Sequence, residues 1–223
     1  DIASQSDKRK RYKNNEGSKG DKTLGQIESF ESFGLYFIEN ISFGRFKLNG
    51  GIRWDNNYLK VNDKFVSNGD DSGNIKLSVW SNEIGLSYKI LDKSYLFVNS
   101  SQSYETPTLS ELSANPSGEG GFNDLLKVQK AKNFDFGLKF NFESTNFSVI
   151  GFIVNTENDL VPYELAEFPG RTFYQNAGKT LRKGIEIDFN HQINKNFSTS
   201  IIYNYTNFKY DEYMSGDLNL KGN

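Results

Sequence analysis

The chain has 223 residues and is polar on average, with a mean hydropathy of -0.63, yet it contains 19 Phe, 12 Tyr and 2 Trp. This aromatic content excludes intrinsic disorder. Its best apolar run, residues 147–154, is far shorter than a membrane-spanning helix of about 18 residues or more. With 26 basic and 28 acidic residues, the net charge of -2 gives no general signal for binding polyanions, and the lack of Cys excludes disulfides and thiolate sites. These features favour a β-rich chain.

Alternation with a period of two residues predicts about eight strands. In chain order they are residues 30–39, 46–55, 80–90, 94–103, 134–142, 146–156, 185–190 and 197–209. The clearest segment places Phe134 and Phe136 on one side, with Asp135 and Lys139 on the other. Because successive strand side chains point to opposite faces, such segments have one apolar and one polar face.

The connections between these strands alternate in length. Short links lie near residues 40–45, 91–93, 143–145 and 193–196, and long polar links at 57–75, 104–130 and 158–170. We interpret the first 27 residues and the last dozen as pieces of further long links. This alternation is typical of outer-membrane barrels, with short periplasmic turns and long extracellular loops. A soluble sandwich would use the same strands with the roles of the two faces exchanged.

Three strings of residues resemble TonB-dependent outer-membrane receptors. The first is YLFVN at 95–99 followed by SYETPTLSEL at 103–112, and the second is LKVQKAKNFDFGLK at 126–139. The third is GRTFYQNAGK at 170–179 followed by RKGIE at 182–186. In the second string Val128, Gln129 and Asp135 replace the usual Pro, Glu and Glu. The resemblance extends over about residues 28–215.

The resemblance implies an all-β fold, an antiparallel transmembrane β-barrel segment with about eight strands of a barrel of roughly 22 strands. Residues 1–223 would form a partial β-barrel domain, an internal fragment without a plug domain. The implied function is TonB-dependent uptake of a scarce nutrient, most simply a ferric siderophore, across the bacterial outer membrane. The implied partners are that ligand, outer-membrane lipid and the TonB complex acting through a plug, with no nucleic acid. The alternative is a complete small β-barrel or β-sandwich that acts in binding or adhesion.

Four residues at the upper rim are candidates for ligand contact: Tyr104, Glu105, Arg171 and Tyr174. The planar guanidinium of Arg171 suits a carboxylate, catecholate or phosphate, and the tyrosines could stack or donate hydrogen bonds. In the competing interpretation, Tyr174 belongs to an interfacial aromatic belt and Arg171 pairs with Glu164 or Glu167.

The remaining motifs indicate structure more than chemistry. Thr108 and Glu111 have capping-box spacing and predict a short helical turn. Residues 68–74 offer clustered oxygen ligands for Ca²⁺ but lack EF-hand spacing, which favours a solvated turn. The basic run at residues 8–11 favours a loop that contacts lipopolysaccharide phosphates or solvent. His191 has no partner of metal-ligand type nearby in the sequence. We therefore expect no catalytic residue, no metal site, no cofactor and no enzyme activity.

Overall fold

A computed structural model describes residues 1–117, 120–176, 178–215, 218–219 and 221–222 of the chain. Its main feature is a nine-stranded antiparallel sheet in which each strand lies beside the next one along the chain, except that a small hairpin is inserted between the seventh and eighth strands of the sheet. The strands of this sheet are β1 (Ile2–Asn15), β2 (Ser18–Phe43), β3 (Phe46–Asp63), β4 (Gly73–Leu91), β5 (Ser94–Glu105), β6 (Gln129–Phe142), β7 (Thr145–Glu157), β10 (Lys179–Asn194) and β11 (Phe197–Glu212). Two small hairpins accompany it, β8 (Leu160–Glu164) with β9 (Thr172–Asn176), and β12 (Met214–Ser215) with β13 (Leu218–Asn219).

All eight predicted strands are present, and most are longer than their alternation suggested. The interpretation of the first 27 residues as a long link is wrong, because residues 2–15 form β1 and pair with residues 18–33 of β2. These residues are polar on both sides, so they carry no alternation signal. Backbone hydrogen bonds between neighbouring strands define this part of the sheet instead.

The predicted short links are confirmed as tight two-residue turns at one end of the sheet, here called the turn end. They consist of Gly44 and Arg45, Asp92 and Lys93, Glu143 and Ser144, and Lys195 and Asn196. The long connections lie at the opposite end, here called the link end. They comprise residues 64–72, residues 106–128 with α1 (Leu109–Leu112), and residues 158–178 with the β8–β9 hairpin. Short and long connections therefore alternate from β2 onward, whereas β1 and β2 are joined at the link end by a two-residue turn of Glu16 and Gly17.

Strand register assigns each side chain to one of two faces of the sheet. One row runs Phe136, Gly151, Ile185 and Tyr205 across β6, β7, β10 and β11. This apolar face also carries Phe37, Ile52, Ile84, Leu96, Phe134 and Phe142. The other, polar face carries all nine predicted polar positions: Lys47, Asn49, Arg53, Glu83, Lys89, Asp135, Lys139, Glu186 and Asp188.

Aromatic rings concentrate at two levels of the apolar face. Near the turn end, Phe46 stacks on Phe43 at 5.5 Å and contacts Tyr88 at 5.0 Å between ring centroids. Toward the link end, Trp54 lies 6.3 Å from Trp80, and its indole N–H donates to Ser78 Oγ at 2.7 Å. Eight residues separate Phe46 from Trp54, which at about 40° tilt corresponds to roughly 20 Å of membrane thickness. Two such girdles are the arrangement expected at the two membrane interfaces.

The packed core lies at the link end, on the polar-face side of the sheet. Its buried members Leu109, Leu112 and Leu126 come from the 106–128 link, and Leu59 comes from β3. Partly buried side chains surround them: Phe30, Ile75, Leu77, Phe122, Leu160 and Tyr174. The long links therefore fold inward over the polar face and leave the apolar face uncovered.

The main sheet is a single open layer. Strands β1 and β11 form its edges, and their described residues pair with β2 and β10 but not with each other. No second large sheet packs on the apolar face among these residues, so the sandwich alternative is wrong for this part of the chain. No helix of the described residues is long and apolar enough to span a membrane.

Candidate ligand-binding site

The 106–128 link is fixed over the polar face by a capping box at α1. Thr108 Oγ1 accepts a hydrogen bond from the Glu111 backbone N–H at 3.3 Å, and the Glu111 carboxylate accepts one from the Thr108 N–H at 2.7 Å. This reciprocal pairing, which the sequence predicted, satisfies donors at the start of the helix. Leu109 and Leu112 then project into the core.

A buried polar network joins β1 and β2 beside α1. The Arg9 guanidinium lies 2.8 Å from the Glu28 carboxylate, and Gln26 Nε2 donates to the same carboxylate at 2.8 Å. Gln26 Oε1 in turn accepts from the Gly121 backbone N–H at 3.3 Å. The network therefore ties the first hairpin to the 106–128 link.

Arg171 approaches this region from the link between β7 and β10. Its guanidinium carbon lies 4.7 Å from the ring centroid of Phe173 and 5.4 Å from that of Phe168, within cation–π range. One of its N–H groups donates to the Asn115 carbonyl at 3.5 Å. Within the described residues, Arg171 forms no ion pair with Glu164 or Glu167, so that part of the competing interpretation is not observed.

Arg9, Arg11 and Arg171 form a cluster of positive charge at the link end, here called the arginine cluster. Burial lowers the pKa of Arg171, and the nearby charges of Arg11 and Arg9 lower that pKa further. Burial and the charge of Arg9 also lower the pKa of Arg11. The Arg9 charge is partly compensated by Glu28, and an added anion would reduce the repulsion that remains between these cations.

A cavity of about 420 Å³ opens beside this cluster. Arg9 and Glu28 line it from the sheet, and Thr108 and Ser110 line it from the start of α1. Such a volume falls in the usual range for small-molecule sites, and its walls offer both charged and hydroxyl groups. Its lining carries both signs of charge, with Lys8 and Arg9 beside the carboxylates of Asp7 and Glu28.

The predicted residues Tyr104 and Glu105 lie on opposite faces at the end of β5. Register places Tyr104 on the apolar face opposite Lys130, whose Nζ lies 5.8 Å from the ring centroid. Its hydroxyl accepts from Gln102 Nε2 at 2.6 Å. Glu105 is exposed on the polar face and accepts from Gln129 Nε2 at 3.2 Å.

Tyr174 packs against the core of Leu59, Leu109, Leu112 and Leu126. The structure therefore does not bring the four predicted residues together, and their contact with a ligand stays a prediction. Only Arg171 joins the charged cluster. Sequence reasoning missed Arg9 and Arg11, although alternation within residues 8–11 would have placed both on one face.

The polar face below the cluster carries further charged groups. Arg53 donates two hydrogen bonds to the Asp55 carboxylate, at 2.7 and 2.6 Å, and its third nitrogen lies 2.7 Å from Asp1. Asp1 and Arg53, together with Tyr36 and Glu83, line a concavity of about 450 Å³. This surface is suited to polar contacts, not to lipid.

Two motifs weighed for metal binding have structural roles in this fold. The Asp63 carboxylate accepts the backbone N–H groups of Phe65 and Asp71 at 2.7 and 3.2 Å, which orders the 64–72 link. His191 lies beside Phe189 on the apolar face, and its Nδ1 is 2.9 Å from Thr145 Oγ1.

Comparisons with known proteins agree with this geometry. The family model described as "TonB dependent receptor-like, beta-barrel" matches residues 4–223. An uncharacterized TonB-dependent receptor of Haemophilus influenzae is 28% identical over 188 residues, which cover 82% of this chain and 51% of the relative.

Solved structures give the same fold. The ferric citrate transporter FecA in its unliganded form matches with a TM-score of 0.70 and 18% identity, over 95% of this chain and 32% of FecA. The siderophore receptor PiuA from Acinetobacter baumannii matches with a TM-score of 0.68 and 20% identity, over 89% of this chain and 28% of PiuA. The chain thus spans about half the length of the curated relative and about a third of each solved structure. It belongs to the family of TonB-dependent receptors and contains residues of their β-barrel.

Proposed function

We propose that residues 1–223 form part of the barrel of an outer-membrane importer that takes up an anionic iron chelate, a ferric siderophore, by TonB-dependent transport. The observation that carries the proposal is the division of one sheet into an uncovered apolar face with two aromatic girdles and a polar face that is capped at one end by ordered links. An enzyme is not expected, because members of this family are receptors and transporters.

In this proposal the apolar face meets outer-membrane lipid and the polar face lines the lumen. The link end lies outside the cell, and the turn end lies in the periplasm, as barrels of this kind are arranged. The remaining strands and the plug domain that contacts TonB would be supplied by sequence outside residues 1–223. Polar-face groups such as Arg53 and Glu83 would then face the plug.

The arginine cluster supports an anionic ligand. Three guanidinium groups lie at the lumen mouth, and two of them have a pKa lowered by burial and by neighbouring cations. Two of the structural relatives are named as a ferric citrate transporter and a siderophore receptor, which favours iron chelates as the class of ligand. Of the four residues predicted from the sequence, Arg171 is the strongest candidate for direct contact, and Glu105 faces the same lumen. Tyr104 lies on the apolar face and Tyr174 packs against the leucine core, so these two are weaker candidates.

Deletion of the complete gene tests this proposal. We expect the deletion strain to lose growth on one or more ferric siderophores under iron limitation and to recover it when the intact gene is restored. The purified full-length receptor should bind the same chelate. Unchanged growth on every siderophore that the parent strain uses, with no chelate bound by the receptor, would contradict the proposal.

A further inference from the structure

The apolar face contains a shallow groove with two lysines on its rim. It has a volume of about 550 Å³ and lies across β6, β7, β10 and β11. The row Phe136, Gly151, Ile185, Tyr205 crosses its middle, with Phe136 and Tyr205 as its side walls. Three strand spacings separate these walls, or about 14 Å, which is wide enough for one or two acyl chains.

Gly151 forms the floor of the groove. A Cβ built on Gly151 would lie 2.6 Å from Cζ of Phe136. The Phe136 ring can therefore lie over β7 only because Gly151 has no side chain. The walls and floor stay accessible, since Phe136 is 52% and Tyr205 53% exposed. The floor and walls are therefore apolar, accessible and formed by the sheet itself.

The rim toward the link end is cationic. Lys183 is paired with Asn207 in the register, and Lys209 lies two residues further along β11 on the same face. Diagonal neighbours of this kind are about 7–8 Å apart, so both ammonium groups can reach one phosphate. Within the described residues, neither lysine forms an ion pair with a carboxylate.

The next row of paired residues toward the link end differs from this rim, because each of its lysines lies beside a glutamate. There Lys130 is paired with Glu157, and Lys179 lies between Glu157 and Glu212 and forms an ion pair with Glu212 at 3.1 Å. Lys183 and Lys209 therefore lie between the groove and a row of matched charges.

We infer that this groove is a specific site for a membrane lipid that carries a phosphate monoester, with the phosphate between Lys183 and Lys209 and an acyl chain between Phe136 and Tyr205. A phosphate monoester carries close to two negative charges at neutral pH and so matches two ammonium groups. A phosphodiester headgroup carries only one. The inference rests on the proposed function, because it requires the apolar face to lie in lipid.

The test uses the full-length receptor in nanodiscs of phosphatidylcholine that contain a small fraction of either phosphatidic acid, a monoester, or phosphatidylglycerol, a diester. Retained lipid is counted by native mass spectrometry after release of the receptor. We expect several-fold more phosphatidic acid than phosphatidylglycerol, and loss of most of this preference in the Lys183→Gln/Lys209→Gln variant.

A matched control exists on the same face. Lys60 is paired with Asn74, and Lys76 lies two residues along β4, but none of these residues lines the groove. The Lys60→Gln/Lys76→Gln variant should keep the preference. An equal loss in both double variants, no preference in the native protein, or competition by inorganic phosphate at the concentration of the lipid would each overturn the site.

One further variant separates the shape of the groove from its charge. Gly151→Leu places a side chain where the Phe136 ring lies, so it should displace this wall and reduce phosphatidic acid retention while both lysines remain. If the receptor inserts into nanodiscs and binds its chelate but shows no lipid preference, only this inference fails. If labels at Phe136 and Tyr205 report water instead of lipid, the proposed function fails as well.

Discussion

Arg9 on β1 and Glu28 on β2 form an ion pair of 2.8 Å in which the two partners differ greatly in exposure. The Glu28 side chain is 2% exposed, whereas that of Arg9 is 34% exposed. Loss of Arg9 and loss of Glu28 therefore have unequal consequences. When Glu28 is removed, the remaining Arg9 side chain can be hydrated where it lies, whereas when Arg9 is removed, the remaining Glu28 carboxylate cannot. The pair also connects the first hairpin to Gln26 and, through it, to the 106–128 link.

We expect Arg9→Gln to destabilise the β1–β2 hairpin more than Glu28→Gln does. The first change leaves a buried carboxylate without its cation and should cost about 2–3 kcal/mol, and the second should cost about 1–2 kcal/mol. Hydrogen exchange of the β1 and β2 amides in the full-length receptor measures both. Asp21→Asn, which removes an exposed carboxylate elsewhere on β2, is the control. Equal protection in the Arg9 and Glu28 variants would contradict this account.

Gly184 is required for close packing in β10. A Cβ on Gly184 would lie 2.1 Å from the carbonyl oxygen of Tyr205 and 2.7 Å from Cζ of Phe152. Because backbone cannot move aside as a flexible side chain does, Gly184→Ala should destabilise the barrel by about 1–3 kcal/mol. Thermal unfolding of the full-length receptor in detergent measures the loss. Gly50→Ala, where the nearest atom is 3.8 Å away, should leave the unfolding temperature within a degree or two.

Replacement of Arg171 should weaken binding of the iron chelate. Arg171→Gln removes one charge-assisted contact at the mouth, so we expect affinity to fall about tenfold, and less in Arg171→Lys, which keeps the charge. Fluorescence or calorimetric titration of the full-length receptor measures this. Arg45→Gln, in a turn at the opposite end of the sheet, should have no effect. An Arg171→Gln receptor with unchanged affinity would exclude this residue from the site.

Binding at the arginine cluster should depend on salt and not on pH. Burial and then the charges of Arg11 and Arg9 lower the pKa of Arg171. A cation whose folded pKa is lowered makes folding less favourable as pH falls through that pKa. Arginine stays charged throughout the working range, so the penalty is constant there. We expect affinity for a chelate of fixed charge to be flat from about pH 6 to about pH 8.5.

The same cluster predicts that affinity falls several-fold between about 0.05 and about 0.5 M salt, as the screening length shortens from over 10 Å to a few ångströms. The Arg171→Gln receptor should show a shallower dependence. A steep pH dependence with little effect of salt would indicate that histidine or carboxylate groups govern binding instead of arginine.

Much of the sheet could be predicted from the sequence, because side chains of the apolar face and of the polar face alternate along each strand. The Phe134 to Phe142 segment shows this clearly, and all eight alternating segments are strands. β1 could not be found in this way. Beyond the membrane both faces of a strand meet water or polar groups, so Ile2–Asn15 has the composition of a loop although it pairs with β2.

The site was less predictable, because it depends on how the links fold. Tyr174 and Arg171 are three residues apart, yet one packs into the leucine core and the other joins Arg9 and Arg11. No local pattern announces a contact between residues 160 positions apart. The capping box of Thr108 and Glu111 was predictable because it depends only on neighbouring residues.

The central claim is that the apolar face meets lipid while the polar face lines an aqueous lumen. Adjacent residues of β6 test it directly, and the chain has no native cysteine among its 223 residues. Spin labels at Phe136→Cys and Asp135→Cys, in the full-length receptor in bilayers, report contact with dissolved oxygen or with a water-soluble nickel chelate. We predict that the label at 136 collides mainly with oxygen and the label at 135 mainly with the nickel chelate. Equal access of nickel to both labels, or the reverse order, would contradict the account.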